Sequence, residues 1–117
     1  MDKLFYYLRD KENRPVVTIC LIEERDRIAR GVAICSQLDQ PCKKTGRGIA
    51  GQRAQAALYS KETRLEIATK RAKEILKGCK APRVVKTKSF TCEDVALLSR
   101  MERKILEKAR QAREARP

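Results

Sequence analysis

This 117-residue chain contains no histidine and no tryptophan, and its only aromatic residues are Phe5, Tyr6, Tyr7, Tyr59 and Phe90. Without histidine the commonest general base is missing, and so is the usual activator of a serine or cysteine nucleophile. No carboxylate pair stands at a recognisable catalytic spacing and no GxxxxGK[ST] phosphate loop occurs, so the sequence argues against an enzyme and against nucleoside triphosphate binding. Long apolar runs are also lacking. The longest lies around Val16–Ile22, far short of the roughly 20 residues that span a bilayer. With no signal-peptide pattern, a cytoplasmic location without membrane contact is expected. The five cysteines are odd in number, irregularly spaced and without a CxxC pair. That pattern fits neither a secreted disulfide framework nor a zinc site. Buried, reduced thiols are expected instead, with Cys20 beside Cys35, and no metal or other cofactor is called for.

The scarcity of aromatic rings limits base stacking, the main device of single-strand binders. On a strand, Phe5 and Tyr7 share one face and Tyr6 takes the other. One face must serve the core, which leaves one or two rings at most.

What the chain has in excess is positive charge, 28 Lys and Arg against 15 Asp and Glu. The excess is unevenly placed. Residues 1–42 hold seven basic and seven acidic side chains, whereas residues 43–117 carry the whole net charge of +13. A field of this kind speaks to partners rather than to fold, and a polyanion is the partner it suits. Two segments concentrate it. Lys43, Lys44, Arg47 and Arg53 occur without an intervening acid. Lys70, Arg71, Lys73, Lys77, Lys80, Arg83, Lys86 and Lys88 stand against Glu74 alone.

The apolar pattern predicts an α+β fold. Leu4–Arg9, Pro15–Ile22 and Ile28–Cys35 are rich in aromatic and β-branched residues or alternate in size, and short polar segments join them. They read as a three-stranded antiparallel meander. The middle strand has no polar face, so it should be central, with helices or chain over at least part of both sides. Arg47–Tyr59 reads as a helix with Ala50, Ala54, Ala57 and Leu58 on one face, matched to the small residues around Gly31. A second helix is expected from an N-cap at Ser60 to a stop at Gly78. Ala81–Ser89 reads as a basic linker or short edge strand. A last helix should open at Thr91, with Asp94 completing a variant capping box, and carry a stripe of Val95, Leu98, Met101, Ile105 and Leu106. The chain is then one domain, a β-β-β-α core over residues 1–59 with a basic helical extension over 60–117.

The segment Gln37–Gly48 reads as a glycine-containing loop entering the first helix, where free N–H groups favour an anion. Strand–strand–strand–helix order, Lys43-Lys44 at the helix entry and Ala54-Gln55-Ala56-Ala57-Leu58 near its end resemble the core of a double-stranded-RNA-binding domain, over residues 4–58. That resemblance implies lysines that touch phosphates across a groove. The whole chain is also similar to small proteins of bacterial phages and mobile elements. Two functional expectations follow. One is a module that binds duplex RNA or DNA through its backbone, weakly specific for sequence. The other is an anti-CRISPR-like inhibitor that docks on a host protein or nucleoprotein complex, with the last helix free to pair with a partner or a second copy.

Overall fold

The computed structural model describes residues 2–25, 27–35, 42–59, 64–66, 70–79, 88–92 and 97–115. Three strands form where β-branched and aromatic residues concentrate: β1 (Asp2–Arg9), β2 (Pro15–Glu24) and β3 (Arg27–Ile34). The β1–β2 turn is held by Asp10, whose Oδ1 accepts the N–H groups of Glu12 at 3.0 Å and Arg14 at 2.9 Å. The strands pair antiparallel, with Phe5 opposite Cys20 and Cys20 opposite Gly31. Cys20 therefore faces Gly31 rather than Cys35, whose N–H bonds the Val16 carbonyl.

The chain continues as α1 (Lys43–Tyr59), β4 (Arg64–Glu66), α2 (Lys70–Lys77), β5 (Lys88–Cys92) and α3 (Arg100–Glu114). The class is α+β, but the sheet is larger than a three-stranded meander. It has five antiparallel strands in the order β1-β2-β3-β5-β4. Beyond the first helix, three placements differ from the sequence reading, each for a physical reason. Leu65, expected in a helix from Ser60, lies in β4 opposite Ser89, because a distant strand offers its edge there. Thr91 lies in β5 opposite Ala29, and its hydroxyl donates to the Ala57 carbonyl near the end of α1. The last helix opens instead at Ser99, whose hydroxyl accepts the Glu102 N–H at 3.1 Å while Glu102 accepts the Ser99 N–H at 3.0 Å. This capping box is complete, Thr91 is taken up by β5, and Asp94 lies outside the described residues.

The sheet is covered on both faces, as the apolar β2 requires. Val17 to Ile22 of β2 are all buried. On one face Ala50, Ala54, Ala57 and Leu58 of α1 pack on Cys20, Ile22, Ala29 and Ala33. Gly31 makes this close approach feasible. A Cβ there would collide with the Ala50 carbonyl oxygen and the Ala54 backbone nitrogen.

On the other face, Tyr6, Ile19, Leu21, Val32 and Phe90 meet Leu76 of α2 and Leu98 and Leu106 of the α3 segment. A fully buried ion pair lies within it. Arg30 Nε and NH2 donate to the two carboxylate oxygens of Glu102, each at 2.8 Å, and NH2 also reaches the Leu97 carbonyl at 3.1 Å. The guanidinium stacks 3.9 Å from the Phe90 ring centroid. Glu102 thus caps α3 and fastens it to the sheet with the same carboxylate. The neighbouring Tyr6 hydroxyl is pushed far above the ordinary phenol range, chiefly by burial and then by the Glu102 charge.

The far end of α3 is tied separately. Glu23 Oε2 accepts Arg110 Nε at 3.0 Å, and Oε1 accepts Arg113 NH2 at 2.7 Å. The Arg110 hydrogen bond, aided by Arg113, holds the Glu23 carboxyl below its usual range. A lowered carboxyl pKa stabilises the fold above the unfolded-state value, and that contribution is lost as pH falls through the folded value. Glu23→Gln is expected to remove the tether at neutral pH. Amide exchange at Gln111–Glu114 should then quicken, with the β2 amides unchanged; equal rates in both proteins would contradict the tether.

Candidate nucleic-acid interface

Helix α1 carries Lys43, Lys44, Arg47 and Arg53 and no acidic side chain. It begins four residues before Arg47, so Gly46 and Gly48 are helical rather than in a loop, and Gln37–Pro41 lie outside the described residues. Gly46 serves packing: a Cβ there would strike the Thr18 hydroxyl, whereas Gly48 faces open space. At the helix start the Gly46 N–H donates to the Cys42 carbonyl at 3.0 Å. The sulfur of Cys42, immediately before α1, accepts the N–H groups of Thr45 and Lys44.

Residues four apart on a helix form a row. Lys43, Arg47 and Gly51 make one along α1, and Lys3 and Tyr7 of β1 lie beside it. The Lys43 ammonium sits 5.0 Å from the Tyr7 ring centroid. Arg47 NH1 donates to the Tyr7 hydroxyl at 3.2 Å. At the other end of the row the Lys3 side chain crosses α1 over Gly51, 3.5 Å from where a Cβ would lie. Lys3, Lys43, Lys44 and Arg47 are all exposed. The result is a cationic seam between the edge strand and α1, with a half-buried tyrosine set in it.

The other basic residues of the sequence reading fall elsewhere. Arg53 is half-buried and its NH1 donates to the Val32 carbonyl at 2.7 Å, while the Val32 N–H bonds the Ser89 hydroxyl at 3.3 Å. These two side chains satisfy β3 where its pairing with β5 ends. Lys73 and Lys77 are exposed on α2, on the opposite face of the sheet from α1. Lys70 and Arg71 begin α2, with side chains outside the described part. Lys88 is half-buried in β5. Lys80, Arg83 and Lys86 lie outside the described residues. The seam therefore unites Lys43, Lys44 and Arg47 but not the second cluster. Lys3 and Tyr7 were missed as seam residues. Their four-residue spacing on one strand face is a signal, but it acquires meaning only once α1 is known to lie against β1.

The C-terminal stripe is largely occupied within the chain. Leu98 and Leu106 are buried against the sheet and Ile105 packs beside them, while Met101 is exposed. Val95 lies outside the described residues. Two cysteines, Cys20 and Cys92, are buried as expected, Cys35 and Cys79 are half-buried, and Cys42 is exposed. Among the described residues no group of three or more acidic or cysteine side chains is placed to hold a metal ion, and no helix is long and apolar enough to cross a membrane. No protein-family model, curated protein sequence or solved structure gives a significant match to this chain.

Proposed function

We propose that the protein is a nucleic-acid-binding module, not an enzyme, that grips phosphates through the α1–β1 seam. The observation that carries this reading is an acid-free helix whose exposed cations, Lys43, Lys44 and Arg47, are joined by Lys3 from the neighbouring strand. Arg47 offers bidentate geometry to a phosphate and the lysines act as point charges. Contacts of this kind fix position on the backbone and carry little sequence information. The likeness of residues 4–58 to a double-stranded-RNA-binding core adds weight to a duplex ligand. Lys73 and Lys77, on the opposite face, strengthen the overall field without joining the seam.

The test is fluorescence anisotropy with labelled duplex RNA, duplex DNA and single strands of equal length, titrated over salt. A seam engaging about four phosphates on duplex DNA predicts a log–log salt slope of roughly −3.6. Scrambled duplexes of equal length should bind alike. Absence of binding to every polyanion at low salt would overturn the reading. Nuclease-resistant capture of one host protein in its place would favour the inhibitor.

A further inference from the structure

A cavity of about 250 Å³ opens between the end of β3 and the first turn of α1, and its lining includes Val16, Thr18, Cys35, Cys42, Thr45 and Ile49. Two cysteines therefore line one opening. The remaining cysteines are placed differently. Cys20 and Cys92 are buried in the sheet, and Cys79 donates its S–H to the Ile75 carbonyl at 3.3 Å. We propose that Cys42 and Cys35 form a peroxide-sensitive dithiol at this cavity, Cys42 supplying the attacking sulfur and Cys35 the resolving one.

Geometry and electrostatics converge on Cys42. It is exposed, and its sulfur receives hydrogen bonds from the Thr45 N–H, the Thr45 side chain and the Lys44 N–H, with the Lys44 charge beside it. These donors hold its pKa below the ordinary thiol range, whereas burial pushes Cys20 up to about 11 and Cys79 upward. The thiolate is the nucleophilic form, so reactivity concentrates at the sulfur with the most donors and the best access. Six residues separate the two cysteines, so closing the ring costs little chain entropy.

The chemistry balances with a hydroperoxide as oxidant. The Cys42 sulfur attacks the peroxide, forming an S–O bond as the O–O bond breaks, and the departing hydroxide is protonated to water. The Cys35 sulfur then attacks Cys42, the S–S bond forms, the S–O bond breaks, and the hydroxyl leaves as a second water with the Cys35 proton. Two thiols have supplied two electrons to one peroxide.

The experiment is exposure of the reduced, full-length protein to hydrogen peroxide, followed by alkylation, intact mass and peptide mapping. A loss of two hydrogens and a Cys35–Cys42 linked peptide are expected, ahead of any change at Cys79. Cys35→Ser should stop at a sulfenic acid on Cys42 that dimedone captures, and Cys42→Ser should leave Cys35 reduced. The wild-type map alone decides the matter if either variant folds poorly. Linkage of a different pair, or oxidation of Cys79 before Cys42, would overturn the assignment.

Discussion

Glu102→Ala is expected to cost about 3–5 kcal/mol, because it removes the carboxylate that takes two hydrogen bonds from the buried Arg30 guanidinium. Both side chains are fully inaccessible to solvent, and both bonds of the pair are 2.8 Å long. The same substitution deletes the reciprocal half of the α3 capping box, a further loss of about 1 kcal/mol. For a domain whose total stability is on the order of 5–15 kcal/mol, this is comparable to the whole of it at the lower end. Desolvating both charges offsets most of what their pairing gains. Replacing both members with apolar residues, Arg30→Met with Glu102→Leu, should therefore recover most of the loss. Urea denaturation of the single and double variants checks this. A Glu102→Ala protein within about 1 kcal/mol of wild type would show that Arg30 finds water or another partner in the fold.

Gly31→Ala is expected to be nearly as severe, roughly 3 kcal/mol or more, at the upper end of overpacking costs. The added methyl would meet backbone atoms of Ala50 and Ala54, and backbone cannot rotate out of the way as a flexible side chain can. Helix α1 would have to lift, opening the contacts of Ala50, Ala54 and Ala57 with the sheet. Gly48→Ala is the matched control. Nothing lies within 4 Å of its Cβ position and the site is helical, so a gain of up to about 1 kcal/mol is expected from propensity. Thermal melts of the two variants should thus move in opposite directions. A Gly31→Ala protein as stable as wild type would mean that α1 does not sit on the sheet in this way.

The meander and the alanine face of α1 were legible because their signals are local. β-branched runs, short polar turns and alanines at helical spacing each report on residues close in sequence. What was not legible depended on distant pairing. Leu65 and Ala68 fit a helical stripe, yet β4 forms because β5 presents an edge to it. Thr91 with Asp94 imitates a helix start, but Ser99 with Glu102 also completes a buried pair with Arg30, 72 residues away. The candidate site followed the same rule. The cations of α1 were evident from composition, whereas Lys3 and Tyr7 joined them only through the antiparallel run of β1 against α1. Arg53 shows the converse, a cation in the right segment whose guanidinium holds the Val32 carbonyl.

Engagement of phosphates by the seam of α1 and β1 is read from the salt dependence of duplex binding in Lys43→Gln/Arg47→Gln. Both side chains are exposed, so the urea midpoint should stay near that of wild type. Loss of two phosphate contacts predicts a log–log salt slope shallower by about 1.8, with weaker binding at every salt concentration. A variant that folds normally and keeps the wild-type slope and affinity would mean that the seam does not engage phosphates.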